Sequence, residues 1–149
     1  MDDAGVFARE SPRLDRTVQV GVAAGRIISV SFPDEAPADA GDDHPLLDRL
    51  FEYLDGGGDV TDVEVALTLP TDQRRVLETV RSLPYGRTAS LDRVARMSDL
   101  DPEDPDDRET ATAALAANPT PVFVPDHRVA GGAGATPPDV AERLRDLES

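Results

Sequence analysis

The sequence predicts an α+β protein, in which a sheet-forming N-terminal half is followed by a helical C-terminal half. Three observations predict this class: apolar residues alternate with period two early in the chain, they recur at helical spacing over residues 46–54, and several capped amphipathic segments follow residue 70. With 149 residues, 39% of them apolar, the chain is long enough for one ordinary domain or two small ones. We predict two domains, residues 1–69 and 70–149.

The first predicted element is a β-hairpin. Valines alternate from Thr17 to Val22, and the alternation resumes over residues 26–32 after the turn residues Ala24-Gly25. In the second run three apolar side chains are in phase and are expected to share one face of the strand: Ile28, Val30 and Phe32. A short strand near residues 6–8 precedes the hairpin.

One helix and one further strand complete the predicted N-terminal half. Leucine and phenylalanine recur at helical spacing from Leu46 to Leu54, and the glycines at 56–58 end that helix. Alternation then resumes from Asp62 to Leu69, which indicates a strand that stops before Pro70. His44, just before the helix, carries no functional signal.

The C-terminal half is predicted to contain three short helices, a strand and a last helix. Thr71, Ser90 and Asp104 are the expected N-caps of the three helices. Pro121 to Val124 is expected to form a strand, residues 131–135 a turn, and Thr136 to open the last helix. Three short helices followed by a strand and a turn are what a winged helix-turn-helix requires.

The charge of the chain reflects its habitat more than its partners. The net charge is −15, yet all 15 basic residues are arginine and lysine is absent. This composition is typical of extreme halophiles, in which acidic surfaces keep proteins hydrated in concentrated salt. Residues 73–98 carry six arginines against two carboxylates, which makes them the candidate phosphate-facing surface. A solvated helix surface explains the same arginines equally well.

Several classes of protein are excluded by the sequence. No run approaches the roughly 18 apolar residues of a transmembrane helix, and Asp2 and Asp3 argue against a signal peptide. Without cysteine there is neither a disulfide framework nor a thiolate metal site, and two histidines are too few for an independent metal centre. We therefore predict a cytoplasmic monomer with no membrane partner, no metal and no cofactor.

Four short strings stand in a fixed order in the C-terminal half: Thr71-Asp72-Gln73, Leu83-Pro84-Tyr85-Gly86-Arg87-Thr88, Ala117-Asn118-Pro119 and Val124-Pro125-Asp126-His127-Arg128-Val129. Asn118 precedes Asp126 by eight residues. Together they resemble the signatures of the O6-alkylguanine-DNA alkyltransferases, which have Thr-x-Phe-Gln, Ile-Pro-Tyr-Gly-x-Thr, Asn-Pro and Pro-Cys-His-Arg-Val at these places. The resemblance implies a ribonuclease-H-like N-terminal domain, similar in pattern only, and a winged-helix C-terminal domain.

The resemblance also implies a site and a partner. In that family a cysteine takes an alkyl group from guanine in double-stranded DNA, a histidine activates it through water, and a glutamate orients the histidine. The matching positions are Asp126, His127 and Glu148, and Asn118 links the recognition helix to them. The implied DNA-contacting residues are Tyr85, Arg87, Thr88, Ser90, Arg93, Arg108 and Arg128. His127 as a buried structural imidazole, and Arg128 as a hydrogen-bonded anchor, are the alternatives.

The chain departs from the family at its reactive centre. Asp126 replaces the nucleophile, and a carboxylate that is already ionised at neutral pH gains nothing from a general base. Glu109 occupies the position of the arginine finger, Leu91 that of a conserved tyrosine, and the segment after Arg128 is shortened. The sequence therefore predicts an alkyltransferase-like binder of DNA lesions without transfer activity. The alternatives are a scaffold repurposed for a partner other than DNA, and an enzyme that uses Asp126 as the acceptor.

Overall fold

A computed structural model of the chain describes residues 4–130 and 134–149. The chain forms two units. The first combines the chain up to Ala66 with Pro119–Phe123, and the second contains Leu67–Asn118 and Val124–Ser149. Part of the turn predicted at 131–135 lies outside the described residues. Among the helices of the described ranges, none has the length and apolar character that a membrane span requires.

The first unit contains a three-stranded antiparallel sheet in the order β1-β2-β3. The strands are Gly5–Ser11, Arg16–Ala23 and Arg26–Ser31, and helix α1 is Pro45–Leu54. The alternating Val18, Val20 and Val22 are all buried, so the hairpin is confirmed. His44 caps α1, because its Nδ1 accepts a hydrogen bond from the backbone N–H of Leu46 at 3.0 Å.

The prediction that Ile28 shares one face of β3 with Val30 is wrong. The register between β2 and β3 shifts at Gly21/Val22: Gly21 pairs with Ser29, whereas Val22 pairs with Ile27. Ile28 is therefore the extra residue of a β-bulge, and 43% of it is exposed. Ile27 takes the buried position instead.

The strand predicted from Asp62 to Leu69 is reduced to a single parallel bridge between Ile27 and Val65. The hydrogen-bonding groups of Ile27 engage both neighbours of Val65, with Ile27 N to Glu64 O at 3.1 Å and Ala66 N to Ile27 O at 2.9 Å. Further along the same strand, the N–H of Val30 donates to the carbonyl of Pro119 at 2.9 Å. Two segments thus share this edge of the sheet, which leaves room for one bridge only.

The strand predicted from Pro121 to Val124 is also wrong. Val122 has φ of 78°, in the left-handed region that no β-strand contains. Val122 and Phe123 are buried nevertheless. The apolar character of the segment reflects its burial and not its secondary structure.

The second unit contains four helices among its described residues: α2 Thr71–Arg81, α3 Leu91–Met97, α4 Pro105–Ala116 and α5 Pro138–Glu148. Helices α2 and α3 both pack against α4. Strand β4, Ala89–Ser90, pairs in parallel with β5, Val129–Ala130. The segment that leads into β5 is thereby aligned with the start of α3.

Two of the three predicted N-caps are confirmed. The Ser90 hydroxyl accepts from the N–H of Arg93 at 3.1 Å, and the Asp104 carboxylate accepts from the N–H of Asp106 at 2.9 Å. Thr71 does not cap α2, because the helix begins one residue earlier than predicted and Pro70 holds the cap position without a side-chain hydrogen bond.

Candidate functional site

Three consecutive polar residues, Asp126, His127 and Arg128, form a buried 3-10 turn in the second unit. They are only 3%, 2% and 1% exposed. Polar groups so deeply buried must be hydrogen-bonded to be tolerated. Asp126 contacts one set of partners. His127 and Arg128 contact another.

Asp126 is held by a cage of N–H donors around its Oδ2 atom. The side-chain amide of Asn118 donates to this oxygen at 3.0 Å, the backbone N–H of Ala135 at 2.9 Å and that of Thr136 at 3.3 Å. Asn118 Nδ2 also donates to the carbonyl of Val124 at 3.0 Å. The carboxylate therefore ties the end of α4 to the loop that precedes α5.

Gly134 lies directly against this carboxylate. A Cβ atom at position 134 would come within 2.4 Å of the Asp126 Cγ, a distance that real Cβ atoms do not show. Only glycine permits the loop to approach closely enough for the two following N–H groups to reach Oδ2.

Glu148 is the centre of the second set of contacts. Its Oε1 accepts from Arg128 Nε at 2.9 Å and from the N–H of Gly86 at 3.3 Å. Its Oε2 accepts from the second Arg128 nitrogen at 2.9 Å and lies 2.7 Å from Nε2 of His127. A bidentate guanidinium–carboxylate pair is the strongest arrangement for such a contact. The contact that the resemblance implies between Glu148 and His127 is present, but the glutamate is shared with Arg128.

Arg128 is an internal cross-link in this structure. Besides Glu148, its guanidinium donates to the carbonyl of Leu83 at 2.9 Å and lies 5.6 Å from the centroid of the Tyr85 ring. With 1% exposure, it presents no surface to a macromolecule. The geometry favours the anchoring alternative over the contact with DNA that the resemblance implies.

A cleft of about 410 Å³ opens beside the turn. Its described lining includes two chain segments and one face of α5: Asp126, His127, Val129, Gly134, Thr136, Pro138, Ala141, Glu142 and Arg145. The volume lies in the range of small-ligand sites. Asp126 thus lines a space that admits a ligand of nucleobase size.

The remaining candidates for DNA contact fall into two groups. Tyr85, Arg87, Thr88, Ser90 and Arg93 are exposed, and three of them line a hollow of about 190 Å³ beside α3: Arg87, Thr88 and Arg93. Arg108 is exposed but paired, because its guanidinium donates to Asp92 and, at 3.4 Å, to the carbonyl of Pro102.

The comparison with known proteins is consistent with this arrangement. The model for the DNA-binding domain of 6-O-methylguanine DNA methyltransferases matches residues 71–146. The chain belongs to the O6-methylguanine-DNA methyltransferase family. A methylated-DNA–protein-cysteine methyltransferase of Methanothermobacter thermautotrophicus is 34% identical over 112 residues, which are 69% of this chain and 58% of the relative. The chain thus aligns with little more than half the length of that relative.

Solved structures of O6-methylguanine methyltransferases share the fold. A variant of the Mycobacterium tuberculosis protein has a TM-score of 0.76 at 22% identity, over 97% of this chain and 92% of that chain. The M. tuberculosis protein in complex with DNA has a TM-score of 0.74 at 22% identity, over 96% and 91% of the two chains. At this identity the likeness establishes the α+β fold and nothing finer.

Two positions at which the sequence departs from the pattern of the methyltransferase family lie on α3 and α4. Leu91 is buried at the start of α3, and Glu109 is exposed on α4. Within residues 4–130 and 134–149, no cluster of histidine, aspartate and glutamate is suited to hold a metal ion.

The sequence did not reveal the donors that surround Asp126 and Glu148. Ala135, Thr136 and Gly86 contribute backbone N–H groups, which every residue except proline carries and which leave no signature. The one available signal is Gly134, which lies within the turn predicted at residues 131–135. A glycine next to a buried acidic residue in the fold indicates a close approach of backbone to carboxylate.

Proposed function

We propose that this chain is an alkyltransferase-like protein that binds double-stranded DNA at an alkylated guanine and does not accept the alkyl group. The observation that carries the proposal is Asp126, a caged carboxylate at the position of the family's nucleophilic cysteine. Family membership and the cleft beside Asp126 support binding to DNA. The carboxylate of Asp126 argues against transfer of the alkyl group.

Alkyl transfer needs a strong nucleophile aimed at an sp³ carbon. A thiolate satisfies this requirement, whereas a carboxylate is a much weaker nucleophile toward alkyl carbon. Three N–H donors further lower the nucleophilicity of Oδ2, because they hold its lone pairs. His127 has no thiol to deprotonate, and we assign to it and to Glu148 the structural role of fastening α5 to the 3-10 turn.

The proposed architecture has two domains, residues 1–69 of ribonuclease-H-like type and residues 70–149 of winged-helix type. The arrangement of α2, α3 and α4 with the short β4–β5 pair supports the winged-helix assignment. We place the DNA-facing surface at Tyr85, Arg87, Thr88, Ser90 and Arg93. Neither Arg128, which is buried, nor Arg108, which is paired with Asp92, belongs to this surface.

A second candidate function is binding of a partner other than DNA. The observation that favours it is the acidic approach to α4, where Asp101, Glu103, Asp104 and Asp106 are exposed. These carboxylates stabilise the N-terminus of the helix but repel a phosphate backbone. Binding to DNA in concentrated potassium chloride, in which such repulsion is screened, separates the two candidates.

We expect Arg93→Ala to weaken binding to every DNA duplex and to reduce the salt dependence of binding. Each lost phosphate contact lowers the slope of log affinity against log salt by roughly 1. The measurement is a fluorescence-anisotropy titration over a series of potassium chloride concentrations, with duplexes that differ only in carrying guanine or an alkylated guanine.

The matched control is Arg13→Ala, which removes the same charge from an exposed position in the first unit. It is expected to leave affinity and salt slope unchanged. The proposal is contradicted if the wild-type protein does not bind DNA, or binds the undamaged duplex as tightly as every alkylated one.

A further inference from the structure

The cleft beside the 3-10 turn offers a hydrogen-bond acceptor that the described residues leave open. Asp126 Oδ2 is occupied by its three donors, whereas Oδ1 receives no hydrogen bond from residues 4–130 or 134–149. Asp126 is one of the residues that line the cleft. A buried carboxylate oxygen gains most from a partner that brings an N–H group or a positive charge.

A second polar group in the same cleft lacks a partner. Thr136 is 5% exposed, and its Oγ1 forms no hydrogen bond within the described part of the chain. A buried hydroxyl without a partner carries a free-energy cost that a polar ligand would remove. A ligand in the cleft could therefore form hydrogen bonds with two neighbouring groups, Oδ1 of Asp126 and Oγ1 of Thr136.

The charges that line the cleft are predominantly negative. Asp126 and Glu142 contribute two carboxylates, against the guanidinium of Arg145. Arg145 donates to the carbonyl of His127 at 3.3 Å, and the His127 ring is engaged by Glu148. The cleft thus favours ligands that carry positive charge and disfavours ligands that present lone pairs to Asp126.

We infer that the cleft recognises guanine alkylated at N7 in preference to guanine alkylated at O6. This inference rests on the proposed function and specifies its ligand. A 7-alkylguanine is cationic and presents adjacent N–H donors at N1 and N2, which match a carboxylate. An O6-alkylguanine is neutral, and its N1 carries a lone pair that a carboxylate repels.

The substitution Asp126→Asn replaces the open acceptor, Oδ1, with a hydrogen-bond donor and keeps an acceptor for the three N–H groups of the cage. The amide oxygen of asparagine satisfies the three N–H donors, which leaves its NH₂ group in the place of Oδ1. That group donates to N1 of O6-alkylguanine and opposes the N1–H of a 7-alkylguanine. We therefore expect the substitution to change which of the two lesions the protein binds more tightly.

The test is an anisotropy titration with three duplexes at mildly acidic pH, where N1 of 7-methylguanine keeps its proton. The duplexes carry guanine, O6-methylguanine, or 7-methylguanine on a 2′-fluoro sugar that protects the glycosidic bond. We expect the wild-type protein to bind the 7-methylguanine duplex roughly tenfold more tightly than the O6-methylguanine duplex. Asp126→Asn is expected to reverse the order.

Glu142→Gln is the control, because it removes a charge from an exposed position of the same cleft outside the cage. It is expected to retain most of the preference for 7-methylguanine. A wild-type preference for O6-methylguanine over both other duplexes overturns the inference and leaves the proposed function standing. Equal binding of all three duplexes overturns both, and the wild-type measurement stands whether or not a variant folds.

Discussion

Replacing Arg128 with methionine lowers the free energy of unfolding by about 3–5 kcal/mol, because it leaves the buried Glu148 carboxylate without its main partner. Methionine retains most of the apolar volume, so the effect reports the lost charge and hydrogen bonds. Leu83 also loses a donor to its carbonyl. Urea unfolding followed by circular dichroism at fixed potassium chloride concentration measures the change.

The matched control for this substitution is Arg108→Met. Arg108 forms an ion pair with Asp92 in which about half of each side chain is exposed, and surface pairs contribute about 0–1 kcal/mol. The same chemical change is therefore expected to have little effect at position 108. Similar losses at the two positions would contradict the internal role of Arg128 that its 1% exposure indicates.

The second large effect is expected at Asp126. Replacing it with alanine lowers the free energy of unfolding by about 2 kcal/mol, because buried N–H groups lose their acceptor. Asn118 and Ala135 retain other acceptors, the carbonyls of Val124 and Leu115, whereas Thr136 N–H has no other acceptor among the described residues. The same unfolding measurement applies.

The substitution Asp126→Asn distinguishes the contribution of the cage hydrogen bonds to stability from that of the buried charge. Asparagine keeps an oxygen in the cage, so we expect it to cost less than 1 kcal/mol, with the buried negative charge removed at the same time. If alanine at position 126 is as stable as the wild type, the carboxylate does not hold the loop before α5. A loss of several kcal/mol with asparagine would mean that the charge, and not the hydrogen bonds, stabilises the turn.

Much of the fold could be predicted because local patterns determine it. The valines of β2 alternate without interruption, and Ser90 and Asp104 have the side chains that helix N-termini require. Ile28 was misplaced because a bulge shifts the register by one residue, which no periodicity in β3 reveals. The strand predicted at 62–69 failed because a second segment shares the same edge of the sheet, and the strand predicted at 121–124 failed because an apolar run records burial as well as secondary structure.

The candidate site was predicted only in part. Asn118, Asp126 and His127 lie in the short strings with fixed spacing, and Glu148 was placed by the resemblance to the family alone. The hydrogen bonds of these groups could not be predicted, because Oδ2 of Asp126 and Oε1 of Glu148 both accept from backbone N–H groups that are distant in the sequence. Arg128 illustrates the limit: its residue type suits phosphate, and only its burial reveals that it binds Glu148.

We propose that the position of the family's nucleophile has a different use in this chain. Asp126 fastens the loop before α5 through one oxygen and, in our proposal, offers the other to a base. The same chemistry favours binding and opposes transfer, since a carboxylate oxygen is a good hydrogen-bond acceptor and a weak nucleophile toward alkyl carbon. We propose that recognition and chemistry are separated at this one residue.

Intact-protein mass spectrometry tests this separation most directly. The wild-type protein and Asp126→Cys are incubated with DNA that contains O6-methylguanine in potassium chloride, and are then analysed in acid, which preserves a methyl ester. The wild-type protein is expected to keep its mass and the DNA its methyl group, with Asp126→Cys as the variant that restores a thiol acceptor. A wild-type protein that gains one methyl group on Asp126 would contradict the account.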